Sequence, residues 1–179
     1  AYVVKIDSTG SKEWERFFGG SQDDVVTAIQ QNSDGGYVLA GHSRSAPSGN
    51  KTSPGVNGVY DYWVIRIDAL GNKLWEQSYG GDGGSGVRSI ESTSDGGYLL
   101  AGSSSSIATR TKTLGSFGGS DVWLVKIDAN GAKQWEQVFG GNGEESSGGG
   151  GVFAARTSDG GYVVGATSNS GVSGNKSKP

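Results

Sequence analysis

The sequence predicts an all-β fold of repeated four-stranded antiparallel sheets, and three observations predict it. The block Trp-Glu-x-x-x-Gly-Gly occurs three times, opening at Trp14, Trp75 and Trp135, so the spacing is 61 residues (14 to 75) and then 60 (75 to 135). Such a period marks a tandem-repeat architecture. Glycine supplies 34 of the 179 residues against 3 prolines, and the glycines recur beside aromatic and β-branched residues, as in turn-dense β proteins. No window spaces apolar residues at helical intervals between caps.

Each unit opens with a β-rich run: Tyr2 to Asp7, Trp63 to Asp68 and Trp123 to Asp128. A turn follows, with glycine three residues after the aspartate at Gly10, Gly71 and Gly131. Asp-x-x-Gly is a compact hairpin signal, because the carboxylate accepts from nearby backbone amides and glycine takes the positive-φ position. The second strand carries the tryptophan and ends at Gly-Gly. A third strand, such as Val25–Ile29 or Val87–Ile90, leads to Asp-Gly-Gly at Asp34, Asp95 and Asp159, again a tight-turn pattern. The fourth strand begins at Tyr37, Tyr98 and Tyr162.

The first and fourth strands are apolar on both faces. In a regular strand Trp63, Ile65 and Ile67 point one way while Tyr62 and Val64 point the other. A sheet buried on both faces needs neighbours above and below. Four-stranded sheets stacked around an axis make a β-propeller, whose blades span about 40 to 50 residues. The longer unit here reflects Ser/Gly/Asn segments at residues 43–60 and 103–120, expected as inter-blade excursions on one face. An open β-solenoid is the alternative architecture. The units are expected at residues 1–60, 61–120 and 121–179, one blade each. Three blades fall short of the about four to eight that propellers use. The ending Ser173 to Pro179 matches Ser48 to Pro54, where the first unit runs into the second. The expectation is therefore a piece of a larger propeller, cut before a further unit, whose partners include further units of the same polypeptide.

Composition excludes several classes. Net charge is −3 with scattered basic residues, so no basic stripe exists to neutralise a nucleic-acid backbone. Apolar runs are too short for a membrane-spanning helix. Absence of cysteine removes disulfides and thiolate metal sites. With no methionine and no signal peptide, the chain reads as a mature segment or fragment.

The combination of Asp61 to Asp68, the Trp-Glu…Gly-Gly block, Asp95 to Gly102 and Ser48 to Thr52 resembles the tandem repeats of large secreted bacterial proteins. The resemblance covers essentially the whole chain. It implies a propeller-like fold, export by the type IX secretion route and a place at the cell surface or in the medium. It implies no reaction, since those repeats bring no catalytic motif. The chain departs from that pattern in having no terminal sorting domain and in the insertion Gly148–Gly151.

Repetition separates scaffold from site, because a residue present in every unit meets a need every unit shares. Asp7, Asp68, Asp128, Asp34, Asp95 and Asp159 are expected to cap turns rather than hold calcium or act as acid–base groups. Trp14, Trp75 and Trp135 are expected to pack between blades rather than stack on sugars. His42, the one histidine, has Ser43 and Arg44 beside it and no recognisable triad. Asp23-Asp24 and Glu144-Glu145 could hold calcium, but Asp82-Gly83-Gly84 at that place in the second unit favours a solvated acidic loop. Gly148–Gly151 lacks the Lys-Ser/Thr of a phosphate loop and reads as a flexible insertion.

No catalytic, cofactor-binding or metal-binding residue is assigned, and no cofactor is expected. The function expected is a non-catalytic structural or binding module for surface adhesion or display, meeting a surface protein or glycan through loops on one face. The alternatives are a propeller-based polysaccharide lyase or hydrolase and a purely architectural stalk or filament subunit.

Overall fold

Strands follow the aromatic and β-branched runs, and turns follow Asp-x-x-Gly and Asp-Gly-Gly. The structure is a computed structural model describing residues 1–56, 58–146 and 151–178; the insertion residues Gly148 to Gly150 lie outside these. Its strands are β1 (Tyr2–Ile6), β2 (Lys12–Phe17), β3 (Asp24–Gln31), β4 (Tyr37–Ser43), β5 (Asp61–Ile67), β6 (Lys73–Tyr79), β7 (Ser85–Ser92), β8 (Tyr98–Ser104), β9 (Asp121–Ile127), β10 (Lys133–Phe139), β11 (Phe153–Arg156) and β12 (Tyr162–Gly165). No helix occurs among the described residues, and every strand pairing is antiparallel.

One expectation is corrected here. The four strands of a sequence unit do not share a sheet. The sheets are β1-β2, β3-β4-β5-β6, β7-β8-β9-β10 and β11-β12, so each complete sheet joins the second half of one unit to the first half of the next. The expected boundaries after residues 60 and 120 therefore fall inside sheets. The reason is pairing strength: β4 runs opposite β5 with Tyr37 facing Ile67 and Gly41 facing Trp63, an unbroken ladder of apolar strands. The β8–β9 ladder repeats it, with Tyr98 facing Ile127 and Gly102 facing Trp123. Among the described residues no sheet closes on itself.

The sheets stack face to face. Alternate residues of β4 and β5 serve different interfaces: Leu39, Trp63, Ile65 and Ile67 pack with Val3 and Phe18 of the β1–β2 layer. Val38, Ala40, Tyr62 and Val64, with Tyr79 of β6, pack instead on Leu100, Trp123, Val125 and Ile127 of the next sheet. Leu99, Ala101, Val122 and Leu124 then meet Val152 and Ala154 beyond. Full burial of side chains such as Trp63 and Trp123 contributes about 1.5–3 kcal/mol each. Backbone contact between sheets concentrates on β7, which touches β3, β4 and β5 on one side and β11 on the other.

Hydrogen bonds cross the same interfaces. The Tyr62 hydroxyl donates to the Trp123 carbonyl at 2.8 Å, with the two rings 4.5 Å apart. Tyr79 donates to the Gly131 carbonyl. A Cβ on Gly71 would lie 3.1 Å from the Trp14 indole, and one on Gly131 would lie 3.0 Å from that of Trp75. Trp14 and Trp75 thus each lie on the turn glycine of the next unit, where positive φ (81° and 83°) already calls for glycine, whereas Trp135, expected to pack in the same way, is 40% exposed.

Candidate functional site

The residues repeated in every unit are occupied by structure. Asp7 Oδ1 accepts from the Thr9 and Ser11 amides at 2.8 and 2.9 Å. Asp68 does the same for Leu70 and Asn72 (2.9 and 2.8 Å), and Asp128 for Asn130 and Ala132 (both 2.8 Å). Asp34, Asp95 and Asp159 accept from the amides of Gly36, Gly97 and Gly161 at 3.0, 3.1 and 3.1 Å. Asp34 also pairs with Arg66, and Asp95 with Lys126 at 2.9 Å. The Thr93 hydroxyl and then the Lys126 ammonium hold the Asp95 carboxyl well below the usual carboxylate range. Trp14 donates to the Ala69 carbonyl at 3.1 Å.

The glutamate of Trp-Glu has a role that spacing alone did not reveal. Buried Glu76 accepts through Oε1 from the Thr52 amide, the Thr52 hydroxyl (2.9 Å) and the Ser53 amide (2.8 Å), and through Oε2 from the Trp63 indole (3.1 Å). Glu136 holds Thr113 and Leu114 in the same way, at 2.6–2.7 Å. Lys51 and Lys112 are fully buried, donating to the carbonyls of Ser53 and Ser106 at 2.8 and 2.9 Å. Asn50 clamps the Gly19 amide (2.9 Å) and the Phe17 carbonyl (2.7 Å). The segments at residues 43–60 and 103–120, expected as inter-blade excursions, are folded back and pinned. The signal lies in the sequence, since a glutamate follows Trp14, Trp75 and Trp135 and Lys51, Lys112 and Lys176 hold one position, with Asn50 and Asn175 replaced by Thr111 in the second unit.

The acidic loop positions differ from the solvated reading. Asp23 and Glu144 are exposed, but Asp24 turns inward and accepts from the Gly20 amide (2.7 Å) and the Ser45 hydroxyl (3.0 Å). Buried Glu145 accepts from the Ser168 hydroxyl at 2.7 Å and faces Asp121. Burial first, and then the Glu145 carboxyl, push the Asp121 carboxyl up to about 6. At the corresponding place one unit earlier, Arg110 forks onto buried Asp61 at 2.9 and 2.5 Å. Among the described residues no three His, Cys, Asp or Glu side chains converge as a metal site.

What the repeat does not explain gathers at one cleft. His42, Tyr60, Gly84, Ser85, Gly86, Arg88 and Ser103 line a cavity of about 260 Å³ at the strand ends where β4 meets β7. His42 and Tyr60 meet edge to face at 4.9 Å, and the Arg44 guanidinium lies 5.4 Å over the Tyr60 ring. Asp23 accepts from the Tyr60 hydroxyl at 3.3 Å and sits 3.6 Å from Arg44. His42 Nδ1 and Arg44 Nε are buried with no hydrogen-bond partner among the described residues. Burial, and then the Arg88 charge, lower the His42 pKa, so the imidazole is neutral at pH 7. Ser43 is not in this cluster; its hydroxyl donates to Asp24. Sequence reasoning named His42 and Arg44 but missed Tyr60 and Arg88, whose counterparts in other units are Ser120 and Thr27.

No protein-family model matches the sequence, and no curated protein matches it. Among solved structures, it is similar to a protein of unknown function from Bacteroides caccae, at 14% identity and a TM-score of 0.34 over 87% of this chain. The chain spans 57% of the length of that structure. Among the described residues no helix is long and apolar enough to cross a membrane.

Proposed function

We propose that this chain is a propeller-type scaffold segment that displays a binding cleft, and that it serves adhesion or display at a bacterial surface. The observation that carries the binding reading is the His42–Tyr60–Arg88 cleft, where residues that differ between units gather beside His42 Nδ1 and Arg44 Nε, both buried with no hydrogen-bond partner among the described residues. A partly exposed phenol beside the Arg44 and Arg88 guanidinium groups suits a glycan bearing a carboxylate, which can pair with arginine. Beside the neutral imidazole the cleft holds the Tyr60 phenol, whose hydroxyl donates to Asp23, so the phenol proton is already committed to a structural contact.

The propeller reading is supported by the fan of the stack. Backbone contact follows β3, β7 and β11, while the outer strand β6 reaches across by the large aromatics Trp75 and Tyr79. Sheets that approach on one edge and splay on the other make wedges, the shape needed to go round an axis. Export by the type IX route is proposed from the repeat resemblance alone.

Glycan-array screening of the chain, followed by titration of any hit against Tyr60→Ala and Arg88→Ala, tests the reading. Binding of an acidic glycan that both variants weaken supports it. Absence of any glycan ligand, together with polysaccharide cleavage that His42→Ala abolishes, would replace it with the enzyme reading.

A further inference from the structure

A cavity of about 570 Å³ opens between the two complete sheets, at the strand ends opposite the His42 cleft. Its walls are the β3–β4 turn and the start of β6 on one sheet, and the β7–β8 and β9–β10 turns on the next. Both sheets carry all four strands there. The volume falls within the about 300–1,000 Å³ usual for ligand sites.

One side of the cavity is fixed in advance. Buried Arg66 donates to the Tyr37 carbonyl at 3.2 Å and to Asp34. With its amide turned to satisfy both neighbours, Asn32 accepts from Arg66 Nε at 3.0 Å and donates to the Tyr98 hydroxyl of the next sheet at 3.0 Å. The Arg66 side chain is 8% exposed and that of Asp34 63%, so the pair turns its carboxylate, not its cation, to solvent. Asn32 and Arg66 are particular to this place. Thr93 and Thr157 hold the first position in the other units, and Lys5 and Lys126 hold the second.

The opposite wall lacks the caps that its counterpart has. One sheet earlier, the turn carbonyls of Ala69 and Leu70 accept from the Trp14 indole (3.1 Å) and the Arg16 guanidinium (2.7 Å). Here Gln77 replaces Arg16, and the Ala129 and Asn130 carbonyls have no donor among the described residues. The Trp75 indole N–H, counterpart of that of Trp14, has no acceptor among them either. Trp75, Ala129 and Asn130 all line the cavity.

A free donor, two free carbonyls and an accessible carboxylate suit a ligand rich in hydroxyls and without charge. An acidic ligand gains little, because Asp34 already neutralises Arg66. We propose that this cavity binds an uncharged sugar residue of a glycan. Its hydroxyls donate to Asp34 and to the Ala129 and Asn130 carbonyls, and one of its oxygens accepts from the Trp75 indole. The site is separate from the His42 cleft and does not rest on the acidic-glycan reading.

The test uses the whole chain, an array of uncharged glycans, and calorimetric titration with the oligosaccharide that binds best. Trp75→Phe removes the indole donor and keeps an aromatic ring, while Ser33→Arg adds bulk to the cavity lining. Tyr60→Ala alters only the other cleft, and circular dichroism checks that each variant folds. An uncharged glycan is expected to bind, about tenfold or more weakly in Trp75→Phe and Ser33→Arg, and unchanged in Tyr60→Ala. In nitrogen–proton spectra of the unaltered chain, the Trp75 indole N–H signal should shift on titration, which decides the matter even where a variant fails to fold. Absence of binding by any uncharged glycan overturns the inference. So do an unmoved Trp75 signal, full affinity in either cavity variant, or binding that Tyr60→Ala abolishes.

Discussion

Glu76→Ala and Glu15→Ala change the same residue of the same repeated motif, and the structure assigns them very different costs. Glu76 is buried and accepts from four donors: the Thr52 amide and hydroxyl, the Ser53 amide and the Trp63 indole. Glu15 is partly exposed, its side chain 41% accessible, and holds only the Tyr2 hydroxyl (2.8 Å) and Lys12 (3.0 Å). Truncating Glu76 leaves the Ser53 amide and the Trp63 indole buried without acceptors, while Thr52 can turn to water. At about 1–3 kcal/mol for each of the two buried donors left unsatisfied, the loss is about 2–6 kcal/mol. Glu15→Ala should leave stability nearly unchanged. Urea unfolding followed by tryptophan fluorescence measures both, and limited proteolysis should cut residues 43–60 much faster in Glu76→Ala. Equal midpoints for the two variants, or an uncut loop in Glu76→Ala, would refute the argument that this glutamate pins the loop. The Glu76 carboxyl sits below its ordinary value: burial acts to raise it and is outweighed by the Thr52 and Ser53 donors. Its contribution is therefore present above the ordinary glutamate pKa and is lost as pH falls through the lowered folded value.

Three further outcomes are expected. The raised Asp121 carboxyl contributes stability fully below its ordinary pKa and loses it as pH rises through about 6, so Asp121→Asn should gain stability relative to the unaltered chain between pH 5 and pH 7, as thermal melts across pH will report. Gly10→Ala should cost about 1 kcal/mol for its positive φ of 86°, whereas Gly131→Ala, which also crowds Trp75 and Gln77, should cost about 2 kcal/mol or more in urea unfolding. Arg110→Gly relieves a positive φ of 56° yet strips buried Asp61 of its fork, and chemical denaturation should show a net loss of about 2–3 kcal/mol.

Strand positions and turns were legible because they are local. Asp-x-x-Gly and Asp-Gly-Gly carry their own hydrogen-bond logic, and the apolar runs show two buried faces. Sheet grouping was not legible, since a tandem repeat reads the same from any starting phase. Only pairing of Tyr37 with Ile67, across an 18-residue segment, reveals that the ladder crosses the unit boundary. The inward turn of Asp24 and Glu145 depends on serine hydroxyls about 20 residues away, which sequence order conceals. His42 and Arg44 were visible as exceptions to the repeat, but Tyr60 and Arg88 join them only once β4 is laid against β7.

The claim on which the rest depends is that the folding sheet straddles the sequence unit. Side-chain and backbone nuclear Overhauser contacts across β4 and β5 test it most directly. The account predicts contacts of Leu39 with Ile65 and of Gly41 with Trp63, repeated by Leu100 with Val125 and Gly102 with Trp123. Absence of these contacts, with β2 paired instead to β3 inside the first unit, would contradict it.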